Sequence, residues 1–193
     1  MPDLAGHLAR HYRRNHRDVM TLANQVSDEQ YVWRAEGLNS IAHNLWHLAR
    51  WADHLQSILS EMTPDLLQRT GGRPEIWYEE RLIDAWGWQG LELGHVGTGM
   101  GMDESTSAGL PLPARPVLLD YAKRTFDAAD ERVASLSDND LVQPALVAPE
   151  RATWLEPTPE ARGLVGSWVV SYLRHDAQHL GAMLTLRSMH PAT

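Results

Sequence analysis

Cysteine is absent from this chain of 193 residues. That absence excludes disulfide staples, thiolate metal sites and a cysteine nucleophile together. Any metal must be held by His, Asp or Glu, and any thiol chemistry must use a thiol from outside the chain. No apolar run approaches the roughly 20 residues that a membrane-spanning helix needs, so no membrane partner is expected. The N-terminal segment MPDLAGHLARHYRRNHRD is basic but lacks the apolar stretch of a secretory signal, and reads as a first helix. Without disulfides or a signal, a cytoplasmic protein is expected.

Positive charge is also scarce, with 17 Lys and Arg against 25 Asp and Glu and a net charge of −8. Binding to nucleic-acid phosphate would need a segregated basic patch. Arg10, Arg13, Arg14 and Arg17 form the dense basic cluster of the sequence and read as a solvated helix face, so no nucleic-acid partner is expected. A single phenylalanine stands against eight tryptophans. Several of these, including Trp77, Trp86 and Trp88 of the crossover, are expected to wall a cavity or an interface, with plain core packing as the alternative. The length suits one domain spanning residues 1–193 around one core.

Strand alternation is missing, whereas four stretches carry helical periodicity, so the fold class is an all-α four-helix bundle. The first helix runs from about Asp3 to Val26 and is followed by SDEQ, which reads as a capping box. Ser40 caps the second, whose stripe comprises Ile41, Leu45, Leu48, Ala52, Leu55 and Leu59 and which Pro64 ends. The third starts at Pro116 and stops at SDND; the fourth spans about Pro159 to Met189. The long segment Thr63 to Arg115 is too long for a tight hairpin. A crossover of that kind allows its flanking helices to run parallel, in an up-down-down-up order. A short helix is expected within Pro74 to Trp88. Gly97, Gly99 and Gly101 make a glycine-rich string, but no strand precedes it and a phosphate loop does not follow.

Two histidines of the fourth helix, His175 and His179, fall on the same face as Val165, Trp168, Val169, Tyr172, Met183 and Leu186. Core imidazoles need partners, because a buried unsatisfied polar group costs roughly 1 to 3 kcal/mol. Two core histidines bonded to their surroundings would meet that need. A shared metal ion meets it for both at once, and i, i+4 spacing suits two ligands of one ion. The second helix offers His43, His47 and His54 as a further ligand. His47 and His54 are separated by roughly 10.5 Å of helical rise, so only one of them fits. His47 lies nearest the apolar stripe and is the best candidate. His43, one turn away, remains available as a fourth ligand or as a group behind the ligands. His54 reads as a surface residue, and His95 and His11 as exposed or structurally bonded.

The segments NSIAHNLWHLARW, LLDYAKRTFDAADERVASLSDNDL and HDAQHLGAMLTLR resemble the DinB-like family. These are four-helix metalloenzymes that include thiol-dependent S-transferases and mycothiol-dependent maleylpyruvate isomerase. The resemblance implies a divalent metal, commonly zinc or nickel, on one histidine of the second helix and the HxxxH pair of the last, here His47, His175 and His179. It further implies a metal-dependent transferase or hydrolase acting on a small-molecule substrate, with a low-molecular-weight thiol or water at an open metal position, and a homodimer. A noncatalytic ligand- or metal-binding protein using the same pocket is the competing expectation. HDAQH also looks like the zinc-protease HExxH with Asp176 in place of Glu. Aspartate is one methylene shorter, and Asp176 falls toward the edge of the apolar face, which argues against a peptidase. No catalytic residue is assigned from the sequence; His43, Tyr172, Asp176 and Gln178 lie within reach of the ligands.

Overall fold

The chain is described by a computed structural model over residues 3–146 and 163–191, and within these residues every regular element is helical. In chain order the helices are α1 (Leu4–Gln25), α2 (Asp28–Val32), α3 (Ile41–Glu61), α4 (Pro64–Thr70), α5 (Ile76–Glu79), α6 (Leu82–Ala85), α7 (Glu104–Gly109), α8 (Arg115–Ala134), α9 (Asp138–Leu141) and α10 (Val165–Met189). The four long ones correspond to the four periodic stretches. The expected start of the last at Pro159 lies outside the described residues. Among the described residues, no helix is long and apolar enough to cross a membrane.

Local signals set the helix ends. Asp3 caps α1 by accepting from the Gly6 amide, Ser27 and Gln30 close a capping box on α2, and Ser40 accepts from the His43 amide at the start of α3. Pro116 sits in the first turn of α8, and Ser137 with Asp140 closes a second capping box on α9.

α1 packs against α8 and α10, and α3 packs against the same two helices. The Ala5 amide donates to Asp138, and Arg115 donates to the carbonyls of Ala23 and Val26, so α1 and α8 run in opposite directions. Tyr12 donates to the Val169 carbonyl and His16 faces Asp176, which sets α1 alongside α10 in the same direction. Asn44 meets His179 while Trp51 meets Tyr172, so α3 runs against α10.

α3 is buried on every side from Ile41 to Ser60. Its apolar stripe faces the bundle, and the crossover roofs the opposite, polar side. This corrects the expectation for His54, which is 1% exposed with its Nδ1 2.9 Å from Glu75 Oε1. Arg50, also fully buried, uses all of its N–H groups. Its Nε donates to the Gly97 carbonyl at 2.9 Å, Nη1 to Asp53 and to the Tyr121 hydroxyl, and Nη2 to Glu75 and to the Val96 carbonyl. Asp53 also accepts from the Ile76 and Trp77 amides and from the side chains of Gln56 and Tyr121. The crossover is thereby tied to the polar face of α3 by charge-assisted bonds in a dry setting.

The crossover tryptophans do not wall the histidine cavity. Trp77, Trp86 and Trp88 pack edge-on or tilted among themselves, with Trp46 against Trp88 and Tyr121 against Trp77 and Trp86. They form a second layer of core outside α3, with ring geometries that aromatic quadrupoles favour.

Candidate metal centre

His47 enters from the first half of α3, and His175 and His179 enter from successive turns of α10. One ring nitrogen from each of the three lies within 4.8 Å of the others. His47 Nε2 and His175 Nε2 are 3.1 Å apart. Two neutral nitrogens at that separation need a proton or a cation between them.

The second nitrogen of two rings is fixed by the protein. His47 Nδ1 donates to the Thr98 carbonyl at 2.5 Å, which leaves Nε2 with its lone pair. His179 Nδ1 is 2.7 Å from Asn44 Oδ1. The Asn44 amide nitrogen already donates to the carbonyls of Asn39 and Ser40, so its oxygen must accept from His179. The lone pair of His179 Nε2 then remains free as well. The Trp51 indole donates to His47 Nε2 at 3.2 Å.

Electrostatics keep these rings neutral. Burial, reinforced by His179 and His175, holds His47 well below the usual imidazole value. Burial, with His175, pulls His179 down to about 3. A divalent cation therefore meets lone pairs at neutral pH without first displacing protons from these two rings. Three converging imidazoles, those of His47 and His179 with outward nitrogens anchored on carbonyl oxygens, could hold a metal ion.

The cluster opens on a cavity of about 420 Å³ lined also by Asn39, His43, Met100, Arg174 and Gln178. His43 is stacked on His47 with ring centroids 6.3 Å apart, outside the metal-capable group. It is 3% exposed and neither ring nitrogen has a hydrogen-bond partner. Burial, with Arg34, lowers it to about 4, so it too is neutral. His95 contributes backbone to a turn, its amide donating to the Met100 carbonyl, and His11 bonds His7 on the exposed face of α1. Tyr172 is buried against Trp51. Asp176 is not at an edge, as its sequence position suggests. It is 4% exposed and faces His16 of α1 rather than the cavity, because the neighbouring face of α10 is also covered.

Thr98 and Asn44 escape a reading of the sequence, although both sit beside legible signals. Asn44 belongs to the NSIAHN cap segment. Thr98 lies within the glycine string, whose Gly97, Gly99 and Gly101 take φ values of +66°, +87° and +80°. The string bends the crossover so that one carbonyl meets His47. A Cβ on Gly99 would lie 2.6 Å from the Trp46 ring and 3.3 Å from His47 Nδ1. Gly99→Ala is therefore expected to cost about 1 to 3 kcal/mol in urea unfolding and to weaken zinc uptake. An unchanged zinc titration would show that the loop does not set His47.

A family model described as the DinB superfamily matches residues 5–183. No curated protein matches the chain. A solved structure of a conserved protein from Enterococcus faecalis is similar with a TM-score of 0.71 and 14% identity, covering 97% of this chain and 96% of that one. At that identity the likeness speaks for the fold alone.

Proposed function

Since the chain belongs to the DinB superfamily, we propose that it is a divalent-metal-dependent enzyme, a thiol S-transferase or hydrolase, that uses His47, His175 and His179 as metal ligands. The observation that carries this reading is the convergence of three imidazole nitrogens, those of buried His47 and His175 and half-buried His179, at the edge of an open cavity. An ion held by three imidazoles would supply an electrophilic centre with an open position, where a thiol or water becomes more acidic. The chain has no thiol of its own, so the transferase form takes a low-molecular-weight thiol from solution. Thr98 and Asn44 orient the ligand rings. His43, neutral and without a partner, offers the cavity an acceptor and a donor for the substrate. Arg174 and Gln178 stand at the exposed side of the cavity.

One observation favours a noncatalytic small-ligand or metal-binding protein instead: no carboxylate lines the cavity among the described residues. A single set of assays separates the two readings. Protein purified without chelators is expected to carry one divalent ion by elemental analysis. It is also expected to turn over an electrophile with one member of a panel of small thiols, or with water, and to lose that activity on chelation. His43→Ala is expected to keep the metal and raise KM about tenfold, as loss of a buried hydrogen bond would. Metal or ligand bound tightly without turnover across the panel supports the binder, and protein that holds neither metal nor small ligand defeats both readings.

A further inference from the structure

We propose that His7 and His11 form a second metal site, on the exposed face of α1, which takes a labile divalent transition ion, nickel or copper, from solution. The site shares no residue with the core cluster and does not depend on it. Both rings are exposed and stand one turn apart on α1, with His7 Nε2 3.0 Å from His11 Nε2. Their centroids are 4.5 Å apart at an interplanar angle of 73°. The i, i+4 spacing that brings His175 beside His179 thus recurs here, but in solvent.

Two imidazole nitrogens that close share either a proton or a cation. A shared proton contributes little at this place, because water replaces a hydrogen bond between exposed groups. An ion contributes more, since one rigid helix holds both of its ligands in place. Exposed imidazoles are free to carry the proton on Nδ1, where water accepts it, and to turn both Nε2 lone pairs on the ion. Bonds of about 2.1 Å that meet at a right angle put two ligand nitrogens about 3.0 Å apart, whereas a tetrahedral angle needs about 3.4 Å. The observed separation matches neighbouring positions of a square-planar or tetragonal ion, the geometry of Cu(II) and Ni(II). Water fills the other positions.

Arg10 and Arg14 lie on the same face and, with the two histidines, line a shallow hollow of about 210 Å³. Their charges oppose a cation, but each is turned to a carboxylate. Arg10 Nη1 lies 3.4 Å from Asp3 Oδ2, and Arg14 Nε lies 3.7 Å from Asp18 Oδ2. Solvent and salt screen what repulsion remains at so exposed a position. Among the described residues, the two imidazoles have no third protein ligand. Two ligands hold an ion less tightly than three, so this one exchanges with solution and is removed by dialysis. Purified protein therefore reports the core ion alone, and the outer site fills only when free metal is abundant.

The test titrates the metal-free full chain with Ni(II) by calorimetry, as wild type, His7→Ala, His11→Ala and His175→Ala. Wild type is expected to show two classes of site. His7→Ala and His11→Ala should each remove the weaker class and keep the tighter one, because a single imidazole loses the advantage of chelation, about 100-fold in affinity. Both positions are exposed and alanine favours the helix, so these variants fold. His175→Ala should spare the weaker class. Cu(II) should bind the outer pair more tightly than Ni(II). A weaker class that persists unchanged in His7→Ala or His11→Ala overturns the inference, as does its absence from wild type. Wild type that lacks the tighter class, but keeps a weaker one that His11→Ala removes, defeats the core reading and supports the outer site.

Discussion

Replacing His175 with alanine is expected to remove stoichiometric metal from the protein while leaving the metal-free fold nearly as stable as before. The ring contributes one of the three converging nitrogens, and its other nitrogen bonds nothing, so the bundle loses little beyond packing. A ligand contributes more than the groups behind it, whose removal alone costs about 10- to 100-fold in affinity. The expected loss is therefore more than about 100-fold. His179→Ala should behave similarly. His47→Ala should also lower the unfolding midpoint, because His47 holds the Thr98 carbonyl and accepts from Trp51. Elemental analysis and thermal unfolding on the same preparations check these outcomes. Full retention of metal by all three variants would refute the site.

Arg50→Ala is expected to cause the largest loss of stability among single changes on the polar face of α3, about 3 to 5 kcal/mol. Removing the guanidinium leaves Glu75 and Asp53 buried without their cation, and frees the carbonyls of Val96 and Gly97 that hold the crossover on α3. The loop carrying Thr98 follows those carbonyls directly. Zinc affinity should therefore fall although Arg50 touches no ligand. Urea unfolding measures the first effect and chelator competition the second. The exposed pair Lys123 and Asp127 on α8 provides the contrast. There both charges remain hydrated when separated, so Lys123→Ala should leave stability nearly unchanged. A comparably small change in Arg50→Ala would contradict the proposed role of the buried network.

The histidine pair of α10 was legible because helical spacing alone places His175 and His179 on one face among apolar residues. His47 was legible because it borders the apolar stripe of α3. The same reasoning failed for His54. Periodicity measures distance from one apolar stripe and says nothing about what covers the other side of the helix, which here is the crossover with Glu75. Asp176 was misjudged for a related reason: α10 is also covered by α1, and His16 comes from residues far away in sequence. The crossover tryptophans were expected at a cavity or an interface, with core packing as the alternative, on the strength of their number alone. They meet Trp46 and Tyr121 and become core.

By itself the sequence determined the all-helical class, the four long helices with most of their ends, and the identity of three histidines that meet. Each of these follows from local periodicity, capping chemistry and side-chain type, which neighbouring residues suffice to express. The absence of cysteine likewise fixed what the site could not contain. Only the tertiary structure decided which nitrogen of His47 and His179 faces inward, which loop anchors His47, and that a charged network saturates the far face of α3. Those features depend on hydrogen bonds between atoms that the chain brings together across 51 residues for His47 and Thr98 and 135 for Asn44 and His179. Spacing along one helix cannot encode a partner supplied by another, and burial, which makes these bonds strong and the imidazoles neutral, exists only once the elements have packed.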